Sequence, residues 1–140
     1  MIKRELFRIM SQTESADVIR FGKTIEAKYP VKMLKKPQKM LVMLKVRESA
    51  QNTLFYAGEA LACECMVAIG DAKGFAVCLG DDRDKAYAMA VIDAALNGGL
   101  PERELIEEAL KGWSGKLREK HTREARLTMS TKVNFTVMEE

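Results

Sequence analysis

Between Phe55 and Leu96 the chain reads FYAGEALACECMVAIGDAKGFAVCLGDDRDKAYAMAVIDAAL, and this stretch limits the possible folds more than any other. It sets two strand-like runs, a tight turn and a capped helix in one continuous unit. Leu61, Cys63, Cys65, Val67 and Ile69 share one face of a period-two pattern, with Glu64 on the other. Gly70-Asp71-Ala72-Lys73-Gly74 supplies turn residues before a second run through Phe75, Val77 and Leu79, which reads as a β-hairpin. After Gly80, either Asp81 or Asp82 is placed to cap a helix, since a carboxylate there accepts a free backbone amide. The buried stripe of that helix is Ala88, Met89, Ile92, Ala95 and Leu96, and Asn97-Gly98-Gly99 ends it.

The flanks extend the pattern. Residues 2–10 and 14–28 read as two helices, the second opened by Ser11, Thr13 or Ser15 and closed by Tyr29-Pro30. Ile2, Leu6, Phe7 and Met10 form an apolar side for packing on the sheet or on a partner. From Val31 the period changes to two: Val42, Leu44 and Val46 alternate with Lys45 and Arg47, a half-buried strand. Ser49 to Asn52 is turn-like, and Leu54–Ala57 resumes extended structure. Pro101 suits the first turn of a further helix with stripe Ile106, Ala109, Leu110, Trp113 and Leu117. Gly112 and Gly115 each cost that helix about 1 kcal/mol relative to alanine, so outside contacts hold it or it breaks there. Val133, Phe135 and Val137 alternate as a short C-terminal strand.

The expectation is an α+β fold: an antiparallel sheet of about four to five strands, helices packed mainly on one face, two helices at the N-terminus and two in the C-terminal half. A chain of 140 residues suits one domain. Its parts are a helical region at 1–30, the sheet at 31–80, helices at 81–128 and a strand or tail at 129–140.

Apolar runs such as Met40–Leu44 and Cys65–Ile69 are far shorter than the roughly 20 residues that span a bilayer. The start, Met1-Ile2-Lys3-Arg4-Glu5, lacks the form of a secretory signal. With three cysteines, an odd number and without CxxC spacing, a reducing compartment is expected, so the protein is placed in the cytoplasm. Charge is segregated: residues 1–57 carry 12 basic and 5 acidic groups, 58–110 carry 4 and 11, and 111–140 carry 7 and 4. The segments come to +7, −7 and +3, which implies internal complementarity or opposed surface patches.

Each candidate for chemistry has a plainer structural reading, and that reading is preferred. Cys63 and Cys65, with Cys78 in the neighbouring strand, lie on a core face, where a free thiol behaves as a small apolar residue. His121, the one histidine, sits among Arg118, Glu119, Lys120, Arg123 and Glu124, a solvated setting without an orienting partner. Asp81, Asp82 and Asp84 stand where a helix begins, so capping and the helix dipole account for them. Asp93 interrupts an apolar helix face and calls for a basic partner. Gly70-x-x-x-Gly74 lacks the ending of a phosphate loop and is a turn. Lys32, Lys35, Lys36, Lys39, Lys45 and Arg47 could meet phosphates or an acidic protein face, but a strand edge guarded against aggregation is the preferred reading. No catalytic, cofactor-binding or metal-ligating residue is assigned.

Leu41-Val42-Met43 with Arg47, Phe55-x-x-Gly58-Glu59, Leu79-Gly80-x-Asp82-x-x-x-Ala86 and Ile92-Asp93-Ala94 follow one another in an order that resembles the PhnG family. The resemblance runs from about Arg4 to Met138 and includes the ending Lys132–Met138. Its motif positions here are Gly58, Glu59, Gly80, Asp82 and Asp93. Ala62-Cys63-Glu64 and Asp81 depart from it, standing where the family often has threonine with arginine and a basic residue. The resemblance implies an accessory subunit of α-D-ribose 1-methylphosphonate 5-triphosphate synthase in the carbon–phosphorus lyase pathway, which replaces the adenine of ATP by a phosphonate. It also implies PhnI-, PhnH- and PhnJ-type partner subunits, with the chemistry carried by the PhnI type. Phe7, Trp113, Phe135 and Val137 are the candidate partner-contact residues. The alternatives are a free-standing enzyme using Cys63, Cys65 or His121, and a basic nucleic-acid- or phosphate-binding module using the Lys32 to Arg47 strand.

Overall fold

The structure, a computed structural model, describes residues 2–131. Its elements are α1 (Lys3–Gln12), α2 (Ser15–Glu26), β1 (Lys32–Arg47), β2 (Leu54–Ile69), β3 (Ala72–Leu79), α3 (Arg83–Asn97) and α4 (Arg103–Thr131). The strands form an antiparallel sheet in the order β1-β2-β3. The fold is α+β, as expected, but among the described residues the sheet has three strands rather than four or five. Two expected strands merge into one: Leu54–Ala57 and Leu61–Ile69 are both part of β2, because Gly58, at φ 152°, carries the chain through a bulge instead of a turn. The strand expected at Val133 to Val137 lies outside the described residues.

The β2–β3 hairpin turns on Gly70 and Asp71 alone, with Ile69 paired to Ala72 and Gly70 at φ 60°. It is tighter than the five-residue turn read from sequence. Cys63, Cys65, Val67 and Ile69 face the helices as expected, while Leu61 shares the pattern but remains 42% exposed. On β3 the core-facing residues are Gly74, Ala76 and Cys78, and Phe75, Val77 and Leu79 turn to the opposite face. The cause is close approach: a Cβ on Gly74 would lie 2.1 Å from the carbonyl oxygen of Ala90 and 2.4 Å from the amide nitrogen of Ala94. Only small residues fit beneath α3.

Helix α3 is the centre of the molecule. Its residues 88 to 95 are all buried, because the sheet covers one side and α2 the other. Gly22 of α2 rests on Ala88, which lets the two helices meet with little side chain between them. The start of α3 matches expectation: the Asp82 side chain accepts the backbone N–H of Lys85 at 3.1 Å.

The other helix ends differ in detail. Helix α1 runs two residues past the expected end, and the hydroxyl of Thr13 donates back to the carbonyl of Ile9 at 2.7 Å. The position before α2 is Glu14, with no side-chain capping bond, and neither Ser11, Thr13 nor Ser15 caps it. Ser15 instead donates its hydroxyl to the Asp82 carboxylate. Helix α2 ends at Glu26, where the amides of Lys28 and Tyr29 close the last turn onto the carbonyl of Ile25. Pro101 sits in the turn just before α4, not inside its first turn.

Helix α4 continues through Gly112 and Gly115 without a break, for 29 residues. Ile106, Leu110 and Trp113 fasten its first half, and residues 118 to 131 are exposed throughout.

Candidate functional site

Three buried thiols lie on the sheet face beneath α3, with Cys63 paired across the strands to Cys78. Burial pushes the Cys65 thiol up to about 11. It also raises Cys78, with the Asp82 charge adding to the effect. A thiol held protonated is a poor nucleophile, as Cys65 and Cys78 are here, and all three thiols are packed into the core. His121 is exposed on the outer half of α4. Among the described residues, no group of three or more His, Cys, Asp or Glu side chains is disposed to hold a metal ion.

Gly80 and Asp82 are brought together at the start of α3. Gly80, at φ 92°, ends β3 by donating its N–H to the carbonyl of Leu61 at 2.8 Å. Asp82 then joins three segments, capping α3, accepting from Ser15 of α2, and offering its backbone carbonyl to the Cys78 thiol at 3.4 Å. Asp81 alongside pairs with Lys39 of β1 at 3.2 Å. Asp93, on the next-to-last turn of α3, has the basic partner its position called for: Lys3, at 3.2 Å. It also accepts the Phe75 N–H at 3.0 Å, satisfying one outward donor of the β3 edge, while Asn97 covers the nearby carbonyl of Lys73 at 2.7 Å. Gly80, Asp82 and Asp93 are thus joints of the scaffold. Gly58 and Glu59 are elsewhere, on the outer part of the β1–β2 pair.

Sequence reasoning missed two groups. Lys85, in the first turn of α3, is buried and donates to backbone carbonyls of the α1–α2 corner. Glu64, read as a solvent-side residue, is 9% exposed and is held by Lys35 and Gln38 of β1. Lys35 and Gln38 stand three apart in the sequence, but that they face Glu64 depends on two register shifts around Pro37 that the sequence does not show. Proline is tolerated there because β1 is an edge strand.

Of the candidate contact residues, Trp113 is 8% exposed and lies edge-on to Phe21, ring centroids 5.8 Å apart, within the core. Phe7 is half-buried beside Phe75, Ala76 and Val77 near the β3 edge. Phe135 and Val137 lie outside the described residues.

What the fold leaves open is larger than any cleft. Among the described residues the helices cover one sheet face only, and β1 and β2 are twice as long as β3. Residues 41–61 therefore continue beyond β3 as a two-stranded arm. Leu41, Met43, Leu54 and Tyr56 on it are 55–61% exposed. An exposed apolar surface of this kind is what a binding face presents.

The family model described as "Phosphonate metabolism protein PhnG" matches residues 2–139. The chain belongs to this family. Membership places it in phosphonate metabolism. A search of curated proteins finds no match. No helix of the described residues is long and apolar enough to cross a membrane.

Proposed function

We propose that this PhnG-family chain is an accessory subunit of α-D-ribose 1-methylphosphonate 5-triphosphate synthase, acting in the cytoplasm as a single domain. In this reading it contributes no complete active site. It binds PhnI-, PhnH- and PhnJ-type subunits and makes the assembly competent to transfer the ribose triphosphate of ATP to a phosphonate with release of adenine. Membership of the family over residues 2–139 carries the reading. The exposed apolar arm supports it, since such a surface has its use in a complex.

The test is co-expression with the neighbouring PhnI-, PhnH- and PhnJ-type proteins, native mass determination, and an assay of adenine release from ATP with methylphosphonate. The expected result is a stable complex whose phosphonate-dependent activity disappears when this chain is omitted. Partners that assemble and work unaided would remove the role.

A further inference from the structure

The two-stranded arm has an unusual division between its tip and its shaft. At the tip, Glu48 closes the turn: its carboxylate accepts the N–H of Ala50 at 3.0 Å and of Gln51 at 3.1 Å, and its own N–H donates to the carbonyl of Thr53 at 2.9 Å. Arg47 donates to both the backbone and side-chain oxygens of Asn52, which stands at φ 57°. The tip is thus folded by its own polar groups. The shaft is the opposite. Eight large apolar side chains between Leu41 and Leu61 are 42–61% exposed. Singly exposed apolar residues are ordinary on a soluble surface, but a row of eight along one ribbon marks an interaction site.

The exposure is on both sides of the ribbon. Leu41 and Met43 project on the side of the helices, which do not reach that far, and Leu44 projects on the other. A lone two-stranded ribbon is only marginally stable in water, so an apolar shaft of this length is understandable as something enclosed. One flat layer cannot cover both faces. The occupant has to be a cleft.

Charge identifies the kind of cleft. The arm itself is balanced, with Lys45 and Arg47 against Glu48 and Glu59, and the cationic excess lies at its base, where Lys32, Lys35, Lys36 and Lys39 precede residue 41 on β1. Lys35 and Lys39 are matched by Glu64 and Asp81, but Lys32, Lys36 and Lys45 have no carboxylate in ion-pair range among the described residues. The larger depressions on this chain, beside α4, are lined mainly by charged and polar groups such as Glu14, Asp17, Lys116 and Arg123, and do not suit an apolar ribbon.

We propose that the β1–β2 arm is a preorganised docking element that inserts into an apolar, carboxylate-edged cleft on a different protein. The self-folded tip lowers the ordering cost of insertion, and the lysines fix its orientation and speed encounter. The proposal rests on the subunit reading above in that the protein with the cleft belongs to the same assembly.

The test uses the co-expressed assembly with full-length chains carrying L44S/F55S, K36E/K45E, or L127S on the exposed outer half of α4. Expected are at least a tenfold weaker association for L44S/F55S and a smaller, salt-sensitive loss for K36E/K45E, with L127S like wild type. Thermal unfolding of each isolated variant reports folding. Should an arm variant unfold, hydrogen exchange of residues 41–61 in the wild-type chain, alone and assembled, decides instead, with strong protection on assembly expected. If the wild-type chain assembles but the arm variants assemble equally well, or the arm gains no protection, the docking assignment is wrong and the subunit reading stands. If the wild-type chain does not assemble, both fall. Arm-dependent dimers of the isolated chain, with hetero-assembly unaffected, would overturn the choice of a different protein.

Discussion

The ammonium group of Lys85 lies 2.7 Å from the carbonyl oxygen of Thr13, across 72 residues of sequence, and 2.8 Å from that of Ser11. These carbonyls are at the C-terminal end of α1, where oxygens lack helical donors and the dipole is negative. Helix α1 has no basic residue in its own last turn. Lys85 supplies that cation from another helix, and so ties the α1–α2 corner to the start of α3. Burial holds its pKa below the ordinary lysine value, while Cys78 and Asp82 nearby act in the other direction.

Lys85→Met keeps the length of the side chain and removes the donor. Two carbonyls are left without it, and a loss of about 2–4 kcal/mol in unfolding free energy is expected, read from urea midpoints. A loss below about 0.5 kcal/mol, the scale of an ordinary surface change, would show that water takes over both bonds.

Gly74→Ala places a methyl group against the backbone of α3 at Ala90 and Ala94. Backbone cannot rotate away as a side chain can, so overpacking here should cost about 3 kcal/mol. Gly112→Ala has open space around its Cβ and should stabilise α4 by about 0.5–1 kcal/mol. Opposite shifts in melting temperature for the two changes check the packing at both sites.

All three thiols should resist labelling in the folded protein. Cys63, Cys65 and Cys78 are buried, and burial pushes Cys65 to about 11, so at pH 8 only about one part in a thousand of that group is thiolate. Ellman's reagent is expected to react slowly in buffer and with three equivalents in urea. One fast equivalent in buffer would return attention to a free-standing enzyme.

The hairpin and α3 were legible because local signals agreed there. Period two with a Gly-Asp turn gives the hairpin, and Asp82 followed by a small-residue apolar run gives the helix. Two strands were divided at Gly58 because a glycine inside a strand pattern signals a bulge and a turn alike. The orientation of β3 was not legible, since Phe75, Val77 and Leu79 are the larger apolar set. The need for small residues under α3 overrides that preference, and it arises only when the elements are packed. Trp113 looked available for a partner because nothing in the sequence pairs it with Phe21, 92 positions away. The arm was hidden for a different reason. An alternating apolar strand reads the same whether its own chain or another covers it.

The Glu64 carboxylate sits between Lys35 and Gln38, and these two hydrogen-bond donors lower its pKa below the ordinary value of 4.5 despite the opposing effect of burial. The unfolded chain therefore holds the proton more tightly than the folded one. Stability from this group is fully present above about pH 4.5, and it is lost as pH falls through the lower folded value. Glu102, lowered chiefly by the Tyr29 hydroxyl, which donates to it at 2.7 Å, titrates in the same sense. Urea midpoints measured from pH 7 to 3 should be level with respect to these two groups down to about 4.5 and then fall. Glu64→Gln should be less stable than wild type at pH 7, with the difference narrowing below pH 4.5, and should keep the part of the acid limb due to Glu102. A difference that stays constant across the range would show that Glu64 is held by packing, and that its pairing with Lys35 adds nothing to the join between β1 and β2.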